Sequence, residues 1–295
     1  MRTNNILLAS ICILLGELCF VSMGSLVKLL AESMLSQNIV FFRNFFGLLV
    51  LAPIIINLGA ASLKTKVLHL HLLRSLSGIA AMYCFFYALA SLPFADAMLL
   101  KITVPLFIPV IAFLWISEYI STRTILAVLI GFVGVIIILK PTGTIQFASL
   151  AGLLGGALAA LAKVTIRRMS STEPTSRIVF YFVVISLSVS SMPLLSSWQN
   201  PSQQEWFYLV LLGVLGTSGQ LFLTRAYSLA LASRVGPFTY SSIVYASLIG
   251  WFFWDEEIAL LTISGAMLII FAGILIFREK QIKDTPKFPS SETIT

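Results

Sequence analysis

The chain has 295 residues, 58% of them hydrophobic and only 11% charged, with a mean hydropathy of +0.99 and a net charge of +7. A soluble domain keeps about 25% of its residues charged in order to face water, so a chain this poor in charge is expected to present most of its exterior to hydrocarbon. The basic excess would suggest nucleic acid in a soluble protein; here it reads as loops that set membrane orientation, and no nucleic-acid partner is expected.

Apolar stretches predict spans near 6–30, 38–58, 74–93, 96–116, 122–139, 147–167, 178–197, 206–230, 235–254 and 260–277. Each approaches the roughly 20 residues that a helix needs to cross a bilayer. The predicted fold class is therefore an all-α integral membrane protein of ten transmembrane helices. The first run continues to Leu30 without a small-x-small cleavage site and carries Glu17 in its middle, so it reads as a retained helix rather than a secretory signal. The longest connection, 59–73, holds Lys64, Lys66, His69 and His71, the histidines reading as solvated loop residues. The tail 281–295 is polar and rich in Ser, Thr and Pro, and is expected to be a disordered cytoplasmic segment.

With the N-terminus placed in the cytoplasm, alternate loops put Arg2, Lys64, Lys66, Arg74, Arg123, Arg167, Arg168, Arg177, Arg234, Arg278, Lys280, Lys283 and Lys287 inside. The outside receives Lys140, with Lys28 near the boundary. That one-sidedness supports an even helix count with both termini cytoplasmic in the cell (inner) membrane.

The sequence also repeats. Residues 94–118, FADAMLLKITVPLFIPVIAFLWISE, align with 232–256, ASRVGPFTYSSIVYASLIGWFFWDE, ending on Glu118 and Glu256. The following TILAVLIGFVGVIIIL (124–139) matches TISGAMLIIFAGILIF (262–277), and IVFF at 39–42 echoes IVFY at 178–181, each leading to a proline, Pro53 or Pro193. A five-helix unit repeated once must insert its second copy upside down, a design that places substrate near the midplane between the halves. The expected units are 1–140 and 141–280.

With FFRNFFGLL in the second helix, YALASLPFADAMLL at the third-to-fourth turn, Pro105, Glu118 followed by GFVGVIIILKP, and Glu256, the chain resembles the drug/metabolite transporter superfamily, in particular its EamA-type members, over about residues 6–280. The resemblance implies a ten-helix basket around a central cavity. It also implies a secondary carrier working by alternating access on an amino acid, a nucleoside-containing metabolite such as S-adenosylmethionine, or a carboxylated cofactor. The competing reading is a membrane-embedded protein that does not transport, either a lipid-modifying enzyme or a scaffold. Partners are a small-molecule substrate and the bilayer; a homodimer stays open.

Charges within spans single out candidates. A charge at a helix centre costs about 2.5–3.5 kcal/mol on the insertion scale, so Glu17, Arg43, Lys101 and Arg225 should face the bundle interior or a wet cavity. Lys28 and Arg225 read first as residues that snorkel from a helix end, and Lys163 lies closer to an end. Arg43 and Lys101 form a cationic vestibule for a carboxylate or phosphate, with Glu17 as the deep acid that neutralises one of them or exchanges a proton. A purely structural pair, Glu17 with Lys101 or Arg43, is the competing account. Lys101, Pro105 and Pro109 share one face of the fourth helix at i, i+4 and i+8, and the prolines are expected to free the carbonyls of Lys101 and Pro105. In the second copy Pro237 begins the ninth helix, and Tyr240 and Tyr245 are placed to stack on or hydrogen-bond substrate. The expected substrate-binding set is Glu17, Arg43, Lys101, Pro105, Tyr240 and Tyr245.

No Walker loop, metal-binding helix or nucleophile elbow occurs in the sequence, so the chain is expected to be no enzyme and to need no cofactor or metal. Cys12, Cys19 and Cys84 lie in apolar runs without C-x-x-C spacing and read as packing residues. Glu118 and Glu256, at the ends of helices four and nine, read as loop anchors that cap the helix after them.

Overall fold

The computed structural model describes residues 3–59, 63–116, 121–139, 146–169, 172–229, 236–256 and 260–284. Among these every regular element is helical. The α-helices are α1 (Thr3–Leu30), α2 (Ser36–Leu58), α3 (Leu68–Ser91), α4 (Phe94–Lys101), α5 (Val104–Ile116), α6 (Thr122–Leu139), α7 (Phe147–Met169), α8 (Thr175–Ser197) and α9 (Gln203–Leu229). A 3₁₀ turn at Gly236–Tyr240 then leads into α10 (Ser241–Trp254), and α11 (Leu260–Asp284) follows. Among the described residues, seven stretches are long and apolar enough to cross a membrane, one of them Asp96–Trp115 across α4 and α5, while α6 and α11 carry shorter apolar stretches at Thr122–Ile137 and Ile263–Leu275. A multi-pass membrane protein follows, because large apolar side chains such as Ile56, Leu114, Leu195 and Phe252 stand on the outside and hydrocarbon is the solvent that accepts them.

Helix ends follow local chemistry. Gly59 closes α2 at φ 74, and its N–H reaches the carbonyls of Ile55 and Ile56, a left-handed stop that suits a residue without Cβ. Asp255 also has a positive φ, 49, in the left-handed helical region, and the next amide, of Glu256, returns to the Gly250 carbonyl. That closure turns the Glu256 carboxylate back along α10, where it passes Gly250 at a distance that a Cβ would reduce to 2.9 Å.

Long-range packing pairs α1 with α9, α3 with α7, α6 with α11, and α2 with both α8 and α9. Glycines set the closest of these approaches: a Cβ on Gly213 would stand 2.3 Å from Phe46 Cβ, and one on Gly134 would stand 2.6 Å from the Gly265 carbonyl oxygen. Small residues let helix backbones meet where lipid supplies no hydrophobic drive.

Several sequence expectations need correction. The third helix begins at Leu68, not at residue 74, so His71 and Arg74 belong to a helix and both are buried. The fourth helix is two helices: the amides of Ile102 and Thr103 reach back three residues to Leu99 and Leu100, and α5 restarts at Val104. Pro105 therefore lies in the first turn of α5, where its missing N–H costs nothing, and only Pro109 sits inside that helix. Residues 281–284 extend α11; the rest of the expected tail, and Glu118, lie outside the described residues.

Candidate substrate site

The polar interior begins at the break between α4 and α5. Thr103 is buried, and its hydroxyl donates to the Leu100 carbonyl at 2.7 Å, occupying an acceptor that the broken helix leaves without its usual amide. Lys101 is the last residue of α4, where the helix dipole favours a cation. Its Nζ donates to Glu17 Oε2 at 3.2 Å and lies 4.7 Å from the Phe20 ring centroid, both on α1. The Glu17 side chain is 7% exposed and that of Lys101 29%. The lysine thus keeps part of its head open while its partner is enclosed.

Lys163, on α7, is within electrostatic reach of Glu17 and Lys101. Its side chain is exposed. It follows Gly156 by seven residues, the same helical face, and Gly156 meets Thr103 Oγ1, where a Cβ would stand 2.5 Å away. Lys163 thus lies in the field of the carboxylate that Lys101 contacts, and the ion pair at this point among the described residues is that of Lys101 with Glu17.

Arg43 does not join this group. It is 2% exposed on α2, its Nη1 donates to Asn44 Oδ1 at 3.0 Å, and its guanidinium stands 5.8 Å from the ring of Phe182 on α8. Arg74, on α3, covers the same ring at 3.6 Å. Tyr240 is buried among Leu99, Ile102 and Leu106 and presses its hydroxyl toward Gly273 of α11. Tyr245 packs against the core around α1. Arg225 is exposed on α9. Of the six expected binding residues, the structure joins Glu17 to Lys101 directly and distributes the others.

Two further ionic clusters escaped the sequence reading. Lys28, expected to snorkel, donates instead to Glu256 Oε1 at 2.6 Å and to the Leu92 carbonyl at 3.3 Å, with the Trp254 ring 5.0 Å away. The same Glu256 oxygen accepts the Phe94 amide at 2.6 Å, so this acid caps a helix N-terminus, that of α4. At the opposite end of the bundle, Glu173 in the α7–α8 connection accepts from Thr65 at 2.9 Å and Arg177 at 2.9 Å, and pairs with His71 Nε2 at 3.3 Å. His71 also stacks at 4.4 Å on Tyr181. It is no solvated loop residue, and its helix starts early because this network encloses it.

Burial alone would raise the Glu173 carboxyl, but the hydrogen bonds from Arg177, Thr65 and His71 together outweigh it and hold the group below the usual carboxylate range. A depressed folded-state value stabilises the fold above the unfolded value, about 4.3. That contribution is lost as pH falls through the folded value. Glu173→Gln is expected to lower the melting temperature of the purified protein at pH 7 and to flatten its decline below about pH 4. An unchanged acid limb would mean that other carboxylates govern it.

Comparison with known proteins places the chain. The model of the EamA-like transporter family matches residues 7–140 and again 146–278. The chain belongs to that family. Among its relatives, a pseudopaline exporter of Pseudomonas aeruginosa is 34% identical over 270 residues, covering 90% of this chain and 95% of the relative. An S-adenosylmethionine uptake transporter of Rickettsia felis is 30% identical over 260 residues, covering 86% of this chain and 87% of its own. A protein crystal structure with 17% identity superposes with a TM-score of 0.66 over 97% of this chain and all of the other, a likeness of fold alone. This EamA-family chain is a small-metabolite transporter and no enzyme.

Proposed function

We propose that this transporter is a secondary carrier moving an amino-acid-like, nucleoside-containing or carboxylated metabolite across the cell (inner) membrane by alternating access, S-adenosylmethionine being one candidate. The Lys101–Glu17 pair, facing Lys163 beside a broken helix, carries the reading. The part-open ammonium of Lys101 suits a carboxylate, and the carboxylate of Glu17 suits an ammonium or sulfonium group.

Ten spans in two inverted five-helix halves, 1–140 and 141–280, complete the proposal. The two family matches support that division. So does the pairing of helices. If α1, α2, α3, α4–α5 and α6 correspond to α7, α8, α9, the 3₁₀ turn with α10, and α11, then α1 on α9 is the mirror of α3 on α7, while α2 on α8 and α6 on α11 are each their own mirror. Both halves interrupt the corresponding span, at Ile102–Thr103 and at the 3₁₀ turn before Ser241. Interrupted helices in matching positions are the best pointer to a binding site in such folds. The clusters of Lys28 with Glu256 and of Glu173 with His71 lie at opposite ends of the bundle, as ties closing alternate entrances would.

Counterflow tests it. Proteoliposomes loaded with unlabelled S-adenosylmethionine, or in parallel with an amino-acid mixture, are expected to accumulate the matching external label transiently above equilibrium. Vesicles that admit label only to the level of protein-free controls across both panels would count against the carrier.

A further inference from the structure

The buried arginines pose a separate question. Arg43 and Arg74 are 2% and 4% exposed, lie within electrostatic reach of each other, and sit against one ring, that of Phe182. No carboxylate among the described residues touches either guanidinium. Arg43 Nε and Arg74 Nε and Nη1 are enclosed without an acceptor. Neighbouring donors share the condition: Asn44 Nδ2, Thr217 Oγ1 and Ser186 Oγ are also buried and unpartnered.

Taking a cation out of water costs several kcal/mol unless a counter-charge or hydrogen bonds offset it, and a guanidinium cannot escape by losing its proton. Two together add repulsion to that cost. A Cβ on Gly216 would stand 3.0 Å from Arg43 Nε and one on Gly78 3.2 Å from Arg74 Nη1, so glycine at both positions keeps side chains away from these donors. Unsatisfied buried groups call for an explanation such as an ion, and a cluster whose unpaired guanidinium donors have no carboxylate among the described residues suits an acceptor with negative charge.

We infer that Arg43 and Arg74, held against Phe182 between α2, α3, α8 and α9, form a second anion site that takes a carboxylate or a small inorganic anion. The site extends the carrier reading by a second charged anchor. Gly216 faces Arg43 and Gly219 faces the Phe20 ring that lies beside Lys101, so Arg43 and that ring meet α9 about one turn apart, roughly 5 Å along its axis.

The test uses the purified full-length protein in detergent, titrated with sodium acetate, sodium phosphate or sodium chloride at constant ionic strength, with melting temperature as the readout. At least one anion is expected to raise it saturably, by roughly 5 °C at a hundredfold excess over Kd. Arg43→Gln and Arg74→Gln should each lose that rise. Without anion neither should melt below wild type, since each relieves like-charge repulsion. Should either glutamine variant fail to fold, Arg74→Lys keeps the charge but not the planar fork, and should show a weakened rise.

A response to acetate or phosphate and not chloride assigns the site to the charged group of a carried metabolite. A response to chloride assigns it to a resident inorganic ion, and both outcomes support the site. No saturable response in wild type, or a full response in the Arg43→Gln, Arg74→Gln double variant, overturns it. Because the readout is binding without transport, a failed counterflow assay leaves it standing, and an active carrier with no anion response sinks the arginine site alone.

Discussion

Replacing Lys101 with glutamine is expected to weaken counterflow sharply while leaving the protein inserted and folded. The ammonium is part open and the carboxylate beneath it enclosed, so the lysine is the member of the pair that substrate can reach. A hydrogen bond to a charged group is worth about 1.5–3 kcal/mol, or roughly 10- to 100-fold in apparent affinity for a carboxylate-bearing substrate. The loss should appear first as a raised apparent Km. A structural role predicts something different. Removing one member of a buried pair costs about 3–5 kcal/mol because the other charge is stranded, and that cost vanishes when both are removed. Glu17→Gln with Lys101→Gln should therefore recover the melting temperature of the wild type without recovering transport. If the double variant transports normally, the pair is scaffolding and the site lies elsewhere. The melting temperature and the transport rate are read on the same preparation, so the two accounts separate in one experiment.

How much of this could be read from the sequence depended on the distance between partners. The helical segments were legible as long apolar runs, seven of which among the described residues are long enough to cross a bilayer, although the third starts earlier than expected and two are broken. Lys101 and Glu17 could be nominated as charges with no business in hydrocarbon, though their pairing could not. Arg74 and His71 were misplaced because they precede an apolar run and look like loop residues. Their burial depends on Glu173, about a hundred positions later, and on Phe182. Lys28 was read as snorkelling because Glu256 is 228 residues away. The spacing of Lys101, Pro105 and Pro109 was real, but it was read on a continuous helix. The buried Thr103 and its bond to the Leu100 carbonyl mark a break that a pattern of proline alone does not locate. One signal was available: a threonine two residues before a proline, followed by an uninterrupted apolar run, is a plausible place to restart a helix, since proline belongs in a first turn.

Gly134→Ala is expected to be more damaging than its size suggests, and more damaging than Gly131→Ala three residues earlier. Both glycines lie on the face of α6 that meets α11, and both leave too little room for a methyl group. The difference is in what the methyl would strike. At Gly131 the nearest atoms are the two terminal carbons of Leu106, 2.4 and 2.7 Å from the Cβ position, with Ala272 Cβ at 3.1 Å. A leucine can turn its tip aside for a modest cost in rotamer energy. At Gly134 the nearest atom is the carbonyl oxygen of Gly265 at 2.6 Å, then Leu268 Cβ at 3.0 Å and Ile269 Cγ1 at 3.1 Å. A backbone oxygen in an α-helix cannot move without moving the helix, so α11 must shift away from α6 along their whole contact. Overpacking of this kind costs about 1–3 kcal/mol, which for a chain of this size corresponds to a fall in melting temperature on the order of 5 °C. Gly131→Ala should lose less than half of that. Because α11 also receives the Tyr240 ring at Gly273, the shift would be felt at the 3₁₀ turn that opens the ninth span, and transport should slow in Gly134→Ala even where the protein survives reconstitution. Equal melting temperatures for the two alanine variants would show that the α6–α11 seam yields as a soft contact, and the slowed transport would then need another cause.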